Sequence, residues 1–144
     1  MDWINNIGEH GPLITFIYGF TTLVKRPIYL SNYLVFTFIN QAINVLLKSV
    51  IKEPRPVSNG KIDYDQYGMP SGHAQNIFFF ITFTYLVNKS VMVLLLELFL
   101  SFITLYQRWK YKKHTITQII VGSLLGIIIA YFSVEAIRIY LKNI

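Results

Sequence analysis

The chain has 144 residues, of which 53% are hydrophobic, 16% aromatic and only 14% charged, with a formal net charge of +6 and no cysteine. That length leaves room for one domain, residues 1–144, and the charge content is far below the roughly 25% of ordinary soluble chains. Disulfides, thiol chemistry and cysteine metal sites are excluded; the basic residues lie between apolar runs rather than in a stripe, which argues against nucleic acid and for anionic headgroups or a phosphorylated substrate.

In chain order, Met1 to Gly11 carries Asp2 and Glu9 without Lys or Arg, so it does not read as a cleavable signal peptide. A membrane helix needs about 20 mostly apolar residues. Pro12 to Val24 is a short span or a re-entrant segment, ending at Lys25-Arg26. Ile28 to Leu47 is a full span, and Pro54 and Pro56 predict that its helix ends near Lys52, because proline withholds the backbone donor. A polar loop, Glu53 to Met69, follows and holds Ser58-Asn59-Gly60. Ala74 to Val87 is short and aromatic, Val91 to Tyr106 is apolar except for Glu97, and a second polar stretch, Gln107 to His114, leads into Thr115 to Tyr131. The expected fold is all-α: a polytopic membrane bundle of four to five helices, at most six, with its site at one membrane face.

Parity of crossings puts the two polar loops on the same face. Residues at i, i+4, i+7 and i+11 share a helix face, and Glu97, Ser101, Thr104 and Arg108 form such a stripe. Asn40, Asn44 and Lys48 form a second, and His114, Gln118, Gly122 and Gly126 a third. A charged stripe facing lipid costs at least ~2.5 kcal/mol near the bilayer centre, so the three faces are expected to meet in a shared interior. For Asn40, Ser101 and Thr104 the expectation is hydrogen bonding between helices. Glu97 is a buried acid beside a basic partner, a protonated acid, or a participant in the mechanism.

The chemistry-bearing residues gather at the same places. Lys48 is followed after six residues by Arg55-Pro56; Gly68-Met69-Pro70-Ser71-Gly72-His73 heads the third helix; Arg108 is followed after five residues by His114. Singly, His73 and His114 read as helix-cap or interfacial histidines, and Lys110, Lys112 and Lys113 as a headgroup-facing loop. Trp109 and Tyr111 look like an aromatic belt, Pro56 and Pro70 are structural, and His10 lies at the surface. Jointly, three cations, two histidines and a Pro-Ser-Gly turn on one face form an active-site pattern.

The pattern Lys48-x6-Arg55-Pro56, Pro70-Ser71-Gly72-His73 and Arg108-x5-His114 resembles that of the type-2 phosphatidic acid phosphatase superfamily. The stretches 51–56, 67–73 and 114–118 are similar to those of its dolichyl-diphosphate phosphatases, and the resemblance covers about residues 44–126, the first forty contributing little. It implies a lipid-phosphate phosphatase without metal or other cofactor. His114 would be the nucleophile, forming a phosphohistidine, and His73 would protonate the leaving group and then activate water. Lys48, Arg55 and Arg108 suit the charge that spreads over phosphoryl oxygens. Ser71 and Gly72 offer a helix start to an anion. A nucleophilic imidazole must be neutral, and neighbouring cations favour that form.

Two positions differ from the usual superfamily pattern. Gln107 stands where a serine precedes the arginine, and Gln118 where an aspartate follows the histidine by four. An amide carbonyl orients the ring N–H but brings no charge. Two readings follow: hydrolysis of a polyprenyl diphosphate, with undecaprenyl diphosphate or phosphatidate as other substrates, or a catalytically weak lipid-phosphate-binding scaffold. On the site face lie Lys48, Lys52, Arg55, Lys61, Arg108, Lys110, Lys112 and Lys113, against Lys25, Arg26, Lys89, Arg138 and Lys142. Setting aside the three phosphate ligands leaves equal numbers, so the positive-inside rule does not orient the chain. The resemblance implies a site facing the lumen of the endoplasmic reticulum, and the oligomeric state is not encoded legibly.

Overall fold

The structure is a computed structural model that describes residues 3–57 and 66–143. The Ser58-Asn59-Gly60 stretch and Lys61 lie outside the described residues. Among the described residues five helices follow in order: α1 (Trp3–Leu23), α2 (Pro27–Ile51), α3 (Gly72–Asn88), α4 (Val91–Lys110) and α5 (Ile116–Lys142). Three of them, α2, α4 and α5, are long and apolar enough to cross a membrane. The expected all-α bundle of four to five helices is thus present with five, and α3, at 17 residues, is the shortest of them, in keeping with the short aromatic segment in the sequence. It forms the axis of the bundle and touches each of the other four helices, α5 most extensively.

Local chemistry sets the helix ends. α2 stops at Ile51, with Lys52 in the left-handed conformation and its N–H bonded to the Lys48 carbonyl, as the prolines beyond it require. Ser71 and Ser90 cap α3 and α4, and Thr115 with Gln118 forms a capping box on α5. At its other end α3 presents carbonyls to two arginines: Arg26 donates to Val87 and Arg138 to Leu86, both at 2.8 Å.

α1 differs from the short segment expected. It begins at Trp3, more than two turns before Pro12, which it carries inside the helix. Gly8 and Gly11 let α1 lie against Gln107 and Thr104 of α4, where any Cβ would collide. Gly122 and Gly126 play the same part for α5, since a Cβ at Gly126 would strike the backbone of Gln75 and Phe79.

The three polar stripes all point inward: Asn40, Asn44, Lys48, Glu97, Ser101, Thr104, Arg108, His114 and Gln118 are buried. Asn40 and Asn44 bind α3 through Gln75, which donates to the Asn40 oxygens at 2.8 and 2.9 Å and accepts from Asn44 at 2.7 Å. Among the described residues, Ser101 and Thr104 do not bond between helices as expected. Their hydroxyls donate to Leu98 and Leu100 of their own helix, which satisfies them locally and leaves a smooth seat for α1. Glu97 accepts from Thr84 of α3 at 3.1 Å.

The end remote from the polar loops is closed by an apolar cluster of Leu23, Tyr33, Phe79, Phe80, Phe83, Ala130, Val134 and Ile137. The outer faces are apolar too: Phe38, Val50, Leu96, Phe99, Phe102 and Phe132 stand out from the bundle. Polar inside and apolar outside is the arrangement that lipid, rather than water, stabilises. The protein is an integral membrane helix bundle.

Candidate active site

The loop after α2 folds back on itself before α3 begins. Pro54 and Tyr67 form an antiparallel bridge, Arg55 N–H bonds to Gln66 O at 3.3 Å and Gly68 N–H to Glu53 O at 2.7 Å. This brings Tyr67 over the end of α2, where the buried Lys48 ammonium donates to the Tyr67 carbonyl at 2.7 Å. The loop between α4 and α5 turns equally tightly, with the N–H groups of Lys113 and His114 both bonded to the Arg108 carbonyl. The two loops therefore meet at one end of the bundle, as the crossing count requires.

His114 sits at that junction, and its Nδ1 faces two oxygens: the Gly68 carbonyl at 3.0 Å and Gln118 Oε1 at 3.2 Å. Both oxygens can only accept, so Nδ1 carries the proton and Nε2 holds a lone pair. Burial, reinforced by the charges of Arg55 and Lys48, lowers the His114 pKa to about 3, although the Gln118 bond opposes the shift. The imidazole is neutral at any physiological pH. That is the form a nitrogen nucleophile needs.

His73, on the first turn of α3, donates from Nε2 to the Glu9 carbonyl at 3.1 Å. The Glu9 carboxylate meets Arg108 Nη2 at 3.1 Å, and the Arg108 carbonyl receives the His114 N–H at 3.2 Å. Arg55 and Arg108 lie within electrostatic reach of both imidazoles. The geometry thus gathers His73, His114, Gln118, Lys48, Arg55 and Arg108 at one rim, with Ser71 and Gly72 beside them. Ser71 is fully buried; its N–H bonds to Gln118 O, its Oγ accepts from Ala74 N–H and its carbonyl from Gln75 N–H. The amides of Gly72 and His73 are the first-turn donors that helix geometry leaves for an anion.

Gln107, at the position of the superfamily serine, turns away from this cluster and donates to Asn5 at 2.7 Å. Three participants escaped the sequence reading: Asn5 and Glu9 from α1, and Glu53. Glu9 carried no periodic signal. Glu53 carried a signal of a different kind, since an acid just past the C-terminal end of a helix opposes the helix dipole and invites another reason for its presence.

The profile of the PAP2 superfamily matches residues 29–140, which span the whole of this cluster except Glu9 and Asn5. The chain belongs to the PAP2 superfamily. It is 32% identical over 129 residues to Dolichyldiphosphatase 1 of Homo sapiens, covering 76% of this chain and 54% of the relative. Dolichyldiphosphatase 1 of Dictyostelium discoideum is 29% identical over 126 residues, 78% of this chain and 55% of the relative. Lipid phosphate phosphatase gamma of Arabidopsis thaliana is 31% identical over 100 residues, 61% of this chain and 44% of the relative. The chain therefore spans about half the length of the curated relatives it matches. No solved structure matches it.

Proposed function

We propose that this PAP2 chain hydrolyses a polyprenyl diphosphate, with dolichyl diphosphate the favoured substrate, to the monophosphate and inorganic phosphate. The observation that carries this reading is His114, neutral, with its proton fixed on Nδ1, its Nε2 lone pair left for attack, and Arg55 and Lys48 within electrostatic reach of the ring. Nε2 attacks the terminal phosphorus while the bridging P–O bond breaks, and His73, held as the imidazolium by the negative charge of the bound diphosphate, gives a proton to the departing monophosphate oxygen. Lys48, Arg55 and Arg108 offset the charge on the phosphoryl oxygens. Water then attacks the phosphorus as the N–P bond breaks, giving a proton to His73 and freeing inorganic phosphate and neutral His114. The dolichyldiphosphatase names of the relatives favour this substrate over undecaprenyl diphosphate and phosphatidate.

Phosphate release by the purified protein from dolichyl diphosphate, undecaprenyl diphosphate and phosphatidate tests the reading, with and without chelator. Release from the first at the highest kcat/KM, unaffected by chelator and abolished in His114→Ala, is the expected result. Release from none of the three overturns it. The scaffold reading would then stand, and the seat of the Glu9 carboxylate on Arg108, where a phosphate would bind, is the observation that favours it.

A further inference from the structure

Gln118 brings no charge to His114, yet a carboxylate stands directly behind it. Gln118 Nε2 donates to Glu53 Oε1 at 2.7 Å and to the Pro54 carbonyl at 2.9 Å. On the other side of the amide, Oε1 receives the His114 Nδ1–H at 3.2 Å and the Thr115 N–H at 3.2 Å. All four hydrogen-bonding positions of this fully buried amide are used. Glu53 and Pro54 present only acceptors, so the amide nitrogen must face them and the amide oxygen must face the imidazole. Glu53 also holds the second oxygen at Nδ1 in place, because its backbone carbonyl binds the N–H of Gly68, whose own carbonyl accepts from His114. Gly68 packs so closely on the Gln118 amide that any Cβ would strike it.

We propose that Glu53 is a positioning residue for His114, supplying through the Gln118 amide the negative charge that an adjacent carboxylate would otherwise bring. The inference rests on the nucleophilic role given to His114 above. When Nε2 takes phosphorus, the imidazole ring becomes cationic, with its proton still on Nδ1. The Glu53 charge polarises the Gln118 amide, strengthens Oε1 as an acceptor and stabilises that cation. A His114–Gln118–Glu53 relay of this kind explains how the site accommodates Gln118.

The test is a charge swap in the full-length protein, followed by steady-state phosphate release and by the Nδ1 proton resonance of ¹⁵N-labelled His114. Glu53→Gln is expected to lower kcat by about 10- to 100-fold, the range for outer partners of a working imidazole, with little change in KM. It should also move the Nδ1 proton upfield. Gln118→Asp alone sets two carboxylates against each other and should also be slow. Glu53→Gln combined with Gln118→Asp lets the new amide donate to the new carboxylate, and kcat is expected to recover well above either single variant. A Glu53→Gln kcat within about twofold of the parent overturns the relay. So does an unmoved Nδ1 resonance, or a swap no faster than Glu53→Gln at the parental melting temperature. An inactive parent protein would defeat the phosphatase reading instead, and the resonance would still decide whether Glu53 acts on His114.

Discussion

The carboxylate of Glu9 lies 3.1 Å from the guanidinium of Arg108, while the backbone carbonyl of the same residue accepts from His73. One residue of α1 thus touches two groups that a phosphate would need. Under the proposed mechanism, a substrate entering this rim would share Arg108 with Glu9 or displace it. Because the Glu9 side chain is 47% exposed, the pair is solvent-screened and contributes modestly.

Glu9→Gln is accordingly expected to lower the apparent KM for the lipid diphosphate by up to about fivefold, the equivalent of the 0–1 kcal/mol typical of exposed pairs. The gain should shrink in high salt. A KM that rises instead would mean that Glu9 holds Arg108 for the substrate rather than competing with it.

The depressed pKa of His114 makes a stability prediction. In the unfolded chain the ring takes a proton near its ordinary 6.5, whereas the folded ring stays neutral down to about 3. Between those values the unfolded state binds more protons, so stability rises with pH through the window and is lost as the solution is acidified. The melting temperature of the parent should fall between pH 6 and pH 4 more steeply than that of His114→Asn. Equal slopes would show that His114 does not titrate as its burial requires.

Gly126→Ala tests the α3–α5 contact. The added methyl would meet the backbone of Gln75 and Phe79, which has no rotamer with which to yield. Overpacking of this kind costs about 1–3 kcal/mol, read as a lower melting temperature in detergent. An unchanged melting temperature would show that the helices separate freely there.

Gln75→Leu probes the polar centre of the bundle. It removes the acceptor of Asn44 and the donor to Asn40 in a region closed to water. Each orphaned group costs about 1–3 kcal/mol, so this variant should melt well below Asn76→Leu, whose bonds lie nearer the surface. Equal losses would argue that the buried amides find other partners.

Much of the architecture was legible because it depends on local pattern. Apolar runs show where helices form, Pro54 and Pro56 end α2, and spacing by three and four collects Glu97, Ser101, Thr104 and Arg108 on one face. The cluster of His73, His114 and three cations followed from counting crossings, since parity needs no coordinates. Which neighbour each inward group meets is another matter. Ser101 and Thr104 bond within their own helix, while Asn40 reaches across to α3, and side-chain type alone does not separate the two outcomes.

By itself, then, the sequence determined a membrane bundle with two histidines and three cations at one rim, because hydrophobic period, helix breakers and charge placement are properties of neighbouring residues. Only the tertiary structure decided that α1 reaches the rim, that Gln107 turns to Asn5, and that Glu53 stands behind Gln118. The last two contacts join residues 102 and 65 positions apart. No local pattern encodes such pairs; they arise when close helix packing, permitted by Gly8, Gly11, Gly122 and Gly126, excludes water and favours partners for buried polar groups.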